Sequence, residues 1–186
     1  MALVFLSITS SSYEANAHPI EVGWAALNCG KVHSHMIAPD ETWTSYSRSV
    51  RSKPWPDQGI PHELLVCEGK TPSFICLLLN YVLDGDRVIS DCPAIDQKLL
   101  DRLYRSAGLR QDFELDDAIK AVERHLDYLG HDSLHFWRCF ATATQGNPSR
   151  YRAGDNARWW RAFWRSLAIP QDSPDFLMTA SPVLDG

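Results

Sequence analysis

The sequence predicts an α/β domain built on a mixed β-sheet. Three observations point that way. Short apolar runs open the chain at residues 2–8, 20–27 and 31–37, spaced as an antiparallel meander. Longer runs with apolar residues every three or four positions follow them. Two further strand-like runs, 87–90 and 113–115, are interleaved with these helical stretches. The resulting order, β-β-β-α-β-α-β-α-α, is that of a sheet carrying both antiparallel and parallel strands with helices on its faces.

The elements follow in order. Ala2 to Ile8 is apolar and β-rich, a buried strand, and Ser10 to Pro19 is a polar turn region. Ile20 to Leu27 is the second strand, Asn28-Cys29-Gly30 the hairpin turn, and Lys31 to Ile37 the third strand. Pro39 to Gly59 reads as loop. Pro61 to Glu68 is a short helix. Thr71-Pro72 is a helix start, with threonine as N-cap and proline at the first helical position. That helix runs through Phe74, Leu77, Leu78, Tyr81 and Val82. Arg87 to Ser90 is the fourth strand, Ala94 to Ala107 a helix closed by Gly108, and Phe113 to Leu115 a short fifth strand. Asp116 to Leu129 is helical up to Gly130, Ser133 to Phe140 is a further helix, and Gln145 to Ser149 is loop. Ala153 to Ala168 is the last helix, stopped before Pro170. One domain spans residues 1–170, and 171–186 form a loosely ordered tail.

Length and composition bound the function. A chain of 186 residues makes one domain with a full core. A formal charge of −5 argues against a generally basic nucleic-acid coat, though not against a local basic face. The five cysteines are dispersed without a paired motif, which reads as free thiols in a reducing, cytoplasmic setting and against a zinc site. Ala15-Asn16-Ala17 mimics a signal cleavage site. However, no basic region precedes Leu3, and Ser10 to Glu14 interrupts the apolar run early. No run approaches the roughly 20 apolar residues of a membrane helix.

Four segments carry a family likeness. These are the first strand with Ser7-Ile8-Thr9, the second strand with Ile20-Glu21-Val22-Gly23, the junction Asp91-Cys92-Pro93-Ala94-Ile95-Asp96, and Tyr151-Arg152-Ala153-Gly154-Asp155. Gly59-Ile60-Pro61-His62-Glu63-Leu64 adds a fifth segment. In this order and spacing, residues 2–168 resemble a 3'-5' exonuclease of the DEDD type, the ribonuclease H-like proofreading and RNA-trimming family, with a degenerate first motif. The resemblance implies a ribonuclease H-like sheet. It also implies an Asp-x-Glu pair where this chain has Ser7 and Thr9, a metal-binding aspartate at Asp96, and a third motif in one of two forms. The tyrosine form places Tyr151 as the water-orienting group and Asp155 as a metal ligand. The histidine form moves the metal position to Asn156.

The family's chemistry is phosphodiester hydrolysis by two divalent ions about 4 Å apart, Mg2+ or Mn2+. Such hard cations are held best by anionic oxygens. With hydroxyls at Ser7 and Thr9, only Asp96 and Asp155 remain as carboxylates, so metal binding should be weak. Asp91 is the best compensating acid, ahead of Glu14, while Glu21 matches a position that is usually structural. The resemblance further implies a single-stranded RNA or DNA 3' end as ligand, and pairing into a homodimer as in other family members. No membrane partner is implied.

Plainer readings stand beside these. Ser7 and Thr9 can be ordinary strand residues, and Asp96 and Asp155 plain acids in a helix's first turn. Arg138, Arg150, Arg152, Arg158, Arg161 and Arg165 form a basic segment, either a phosphate-backbone contact or a solvated face. Arg152, Arg158 and the loop residue Trp55 are the nucleic-acid contacts expected from it. Trp43 is a second loop candidate for base stacking. Trp159, Trp160, Phe163, Trp164 and Leu167 recur at helical spacing and read as core. The histidines form no ligand pattern. Two functions remain: an exonuclease-like nucleic-acid-processing or -binding protein with an impaired metal site, and a catalytically inactive module on the same fold that binds nucleic acid, a nucleotide or a protein.

Overall fold

The structure, a computed structural model, describes residues 1–12, 17–43, 60–147 and 152–168. Five strands form one sheet in the order β3-β2-β1-β4-β5. They are β1 (Leu3–Ser10), β2 (Pro19–Ala26), β3 (His33–Met36), β4 (Arg87–Ser90) and β5 (Leu115–Asp117). β1 pairs antiparallel with β2, and β2 antiparallel with β3. β4 runs parallel to β1 and to β5. The meander and the mixed directions match the sequence-based expectation.

The helices are α1 (His62–Glu68), α2 (Pro72–Leu83), α3 (Pro93–Ala107), α4 (Ala118–Leu129), α5 (Ser133–Gly146) and α6 (Ala153–Leu167). Local signals set several ends. The Thr71 hydroxyl accepts the Phe74 amide at 3.3 Å and starts α2. α3 ends at Gly108 with φ of 64°. Several boundaries differ from expectation, and β3 shortens from Lys31–Ile37 to His33–Met36. β5 lies two residues further on than Phe113 to Leu115, because Phe113 turns into the core. Asp117 then caps α4, accepting the amides of Ile119 and Lys120, so the helix begins at Ala118 rather than Asp116. α5 continues to Gly146, past the Phe140 expected from sequence.

The sheet separates two apolar layers. Val4, Leu6 and Ile8 of β1 face one layer, with Ile20, Val22 and Trp24 of β2 and the inner sides of α2 and α3. Phe5 faces the other, with α4, α5 and the Trp159, Trp160, Phe163 and Trp164 stripe of α6. That stripe is core, as its spacing indicated. None of the five cysteines is in a disulfide. Among the described residues no helix is long and apolar enough to cross a membrane. The tail at 171–186 lies outside the described residues.

Candidate functional site

The two-residue period of a strand decides which side chains of β1 meet α6. With Val4, Leu6 and Ile8 committed to the first layer, Ser7 and Thr9 point to the side of Phe5 and α6. On β2 the residues paired with them are Gly23, opposite Ser7, and Glu21, opposite Thr9.

Gly23 lets α6 sit directly on the strand. A Cβ there would lie 2.3 Å from the Gly154 nitrogen, inside any allowed contact. The start of α6 is then clamped by Glu21, which is 2% exposed. Its carboxylate accepts from Arg152 Nε at 2.9 Å and Nη2 at 2.8 Å, from the Ala153 amide at 2.9 Å and from Ser34 Oγ at 2.6 Å. Thr9 Oγ1 donates to it at 3.4 Å. Burial raises the Glu21 pKa, but the Arg152 guanidinium and the Ser34 and Ala153 donors outweigh it and hold the carboxyl below its ordinary value. Glu21 therefore caps α6 from another strand, a structural role.

This clamp fixes the rotation of α6, and with it which side chain reaches β1. It is Asn156, 8% exposed. Its amide nitrogen donates to Ser7 Oγ at 3.1 Å and to both Asp91 oxygens, at 3.3 and 3.2 Å. Asp155, about 100° round the helix, instead receives Arg158 Nη1 at 3.0 Å on the surface. Asn156, and not Asp155, is thus the α6 side chain that meets Ser7. Tyr151, Trp55 and Glu14 lie outside the described residues.

Asp96 sits behind this junction, 4% exposed, in the first turn of α3. Ser90 Oγ donates to its carboxyl at 2.6 Å and itself accepts the Cys92 amide at 3.0 Å. Burial pushes the Asp96 pKa up to about 7, with the Asp91 charge adding and the Ser90 and Ile8 donors opposing. Ser90 and the Glu21–Arg152 clamp were not foreseen. A serine ending a strand and a glutamate paired with an arginine 131 positions later carry no local signal.

Three arginines of the expected basic face are engaged by groups of the protein itself. Arg152 is taken by Glu21, and Arg161 donates to the carbonyls of Cys29 and Lys31. Arg165 donates to the Leu27 carbonyl. Arg158 remains at the surface beside Asp155. Trp43, expected as a loop stacking platform, is buried and stacks on His18 at 5.0 Å between ring centroids, so it offers no open face.

These donors do not fit a pair of divalent ions. The centre of the junction is an amide N–H, a donor where a cation needs acceptors. Ser7 and Thr9 bring no charge, and Asp96 keeps its proton up to about pH 7. Asp91 is the one half-exposed carboxylate at the junction. Among the described residues no three His, Cys, Asp or Glu side chains converge as metal ligands.

No protein-family model matches the chain, and no curated protein matches it. Solved structures do. Escherichia coli exonuclease I bound to a 5cy-dA13 oligonucleotide superposes with a TM-score of 0.58 at 10% identity, over 95% of this chain and 42% of that one. The same enzyme with a dT13 oligonucleotide gives 0.56 at 9% identity, again over 95% and 42%. Its zinc-bound form in complex with single-stranded DNA gives 0.55 at 8% identity over the same shares. The fold of this chain is therefore an exonuclease-type α/β fold. The chain spans about two fifths of the length of exonuclease I.

Proposed function

We propose that this chain is a nucleic-acid-binding protein of the DEDD 3'-5' exonuclease type whose hydrolytic centre has been replaced by a hydrogen-bonded junction centred on an uncharged amide. The observation that carries this reading is the Asn156 amide donating at once to Ser7 and Asp91. An amide and a hydroxyl supply geometry without charge, so the junction holds α6, β1 and the end of β4 together where an exonuclease would hold cations. The fold shared with exonuclease I, solved there on single-stranded oligonucleotides, supports a strand as ligand. Asp91 can accept from sugar hydroxyls, and Arg158 is a surface cation on α6 that can meet a phosphate.

The test pairs degradation with binding. Short RNA and DNA strands incubated with wild type in Mg2+ and then Mn2+ are expected to stay intact. The same strands in EDTA are expected to bind, with an affinity that falls as salt rises. Restoring carboxylates as Ser7→Asp/Thr9→Glu/Asn156→Asp is expected to produce metal-dependent shortening. Shortening by wild type that vanishes in Asp96→Asn would overturn the proposal and make this a working exonuclease.

A second reading, an interaction module that holds no strand, is favoured by the burial of Ser7, Thr9 and Asn156 and by the internal engagement of Arg152, Arg161 and Arg165. Failure of wild type to bind any strand at low salt would select it.

A further inference from the structure

The two edges of the sheet are finished differently. Beyond β3, Ile37 bridges to Lys70, whose carbonyl accepts the Ala38 amide, so the chain covers the end of that edge itself. Among the described residues no strand follows β5. The neighbouring ladders fix which way its backbone faces. The Arg87 amide donates to the Ala2 carbonyl, towards β1. Alternation then turns Val88 and Ser90 towards β5, and Asp116, in register between them, turns its N–H and C=O back to β4. The N–H and C=O of Leu115 therefore point out of the sheet. Among the described residues neither has a hydrogen-bond partner. The groups on either side are already closed off. Gln111 Nε2 donates to the Phe113 carbonyl at 2.7 Å, and the Asp117 amide donates to Asp116 Oδ1 at 3.0 Å. A cleft of about 480 Å3 runs beside this edge, between Gln97 and Asp101 of α3 and the segment leading into β5. Phe113 and Leu115 supply its apolar lining. Asp101 and Glu114 bring two exposed carboxylates to it, and Arg110 one exposed guanidinium. Among the described residues neither carboxylate is in an ion pair.

We propose that the outer edge of β5 receives an extended basic segment of a partner protein, added to the sheet as a sixth strand at Leu115. Unpaired N–H and C=O groups on an edge strand are a template for such pairing. A strand laid there takes the Leu115 N–H and C=O as one hydrogen-bonded pair. Its side chains alternate between the two faces, so those on the α3 side enter the cleft. A lysine or arginine there meets Asp101 and Glu114, and an apolar side chain meets Phe113 and Leu115. A second β5 is disfavoured as the occupant, because Glu114 and Asp117 would face the same carboxylates again. A nucleic-acid backbone is disfavoured by the same charges. One pair of main-chain bonds beside an open cleft makes the association weak, with a Kd on the order of 100 µM for a short peptide. The inference is independent of the nucleic-acid reading.

Amide NMR of the full chain, titrated with a capped peptide of alternating lysine and valine, tests it. Shifts are expected at residues 113–117 and at Gln97 and Asp101, and hydrogen exchange of the Leu115 amide should slow about tenfold near saturation. Asp101→Lys and Glu114→Lys should each weaken binding about threefold or more. Both side chains are exposed, so the melting temperature should hold. The same peptide N-methylated at every amide keeps its charges but cannot donate to the Leu115 carbonyl, and it should not bind. A peptide with glutamate in place of lysine should not bind either. Absence of localised shifts, an unslowed Leu115 amide, equal binding by the N-methylated peptide, or indifference to Glu114→Lys would each overturn the proposal.

Discussion

Asp96 should make this protein less stable as pH rises through neutrality, and removing its charge should abolish that loss. Its carboxyl is buried between the end of β4 and the backbone of β1, and burial raises its pKa from 3.8 to about 7. The sign follows from linkage. A raised acid pKa means that the folded state keeps a proton the unfolded chain has released, so the stabilising effect is complete below about pH 4 and is lost as pH climbs towards about 7. At about 1.4 kcal/mol per unit, the full loss is ~4 kcal/mol. Between about pH 5 and about pH 8.5 some 3 kcal/mol of it should be visible.

The assay is urea unfolding of wild type and Asp96→Asn across that window, in EDTA, since a cation on the carboxylate would pull the proton off. Asparagine is neutral at every pH. Any misfit of its amide to the Ser90 and Ile8 donors adds a constant offset rather than a slope. His18, His35, His125 and His135 all have lowered pKa values and contribute the opposite slope, rising stability with pH, in both proteins. The wild-type-minus-variant difference cancels them. If that difference is flat within about 0.5 kcal/mol over the window, Asp96 is an ordinary ionised acid and the account of its burial is wrong.

Three further outcomes follow from the same geometry. Glu21→Gln should lower stability by about 2–3 kcal/mol, at the low end for a broken ion pair because Arg152 reaches water, and Arg152→Gln added on top should cost little more in a double-mutant cycle. Gly23→Ala should lower the melting temperature by about 6–12 °C, since its Cβ meets the Gly154 backbone at 2.3 Å and α6 must lift from the sheet; an unchanged melt would mean that the approach is looser than described. Asn156→Asp should lose about 1–2 kcal/mol at neutral pH in EDTA by setting a carboxylate against Asp91. Mn2+ should return that loss to the variant and leave wild type unmoved in a thermal-shift measurement.

Much of the architecture was legible along the chain, because the signals are local. The apolar runs of β1, β2 and β4, the Thr71-Pro72 start of α2 and the Gly108 stop of α3 each depend on a few neighbouring residues. The hydroxyls at Ser7 and Thr9 were equally legible, since strand alternation alone puts them on one face. β5 was not placed correctly, because a three-residue edge strand has too short a period to register.

The sequence by itself therefore determined that this is an α/β domain whose first strand carries the hydroxyls of Ser7 and Thr9 and no carboxylate. Only the tertiary structure decided what meets them. Choosing between Asp155 and Asn156 is a question of helix rotation, one residue being about 100°. That rotation is set by the Gly23–Gly154 approach and the Glu21 clamp, contacts between segments more than a hundred residues apart. The same holds for the arginines of α6. Composition counts their charges, but whether a guanidinium faces a phosphate or a backbone carbonyl depends on which strand turn the folded helix lies against.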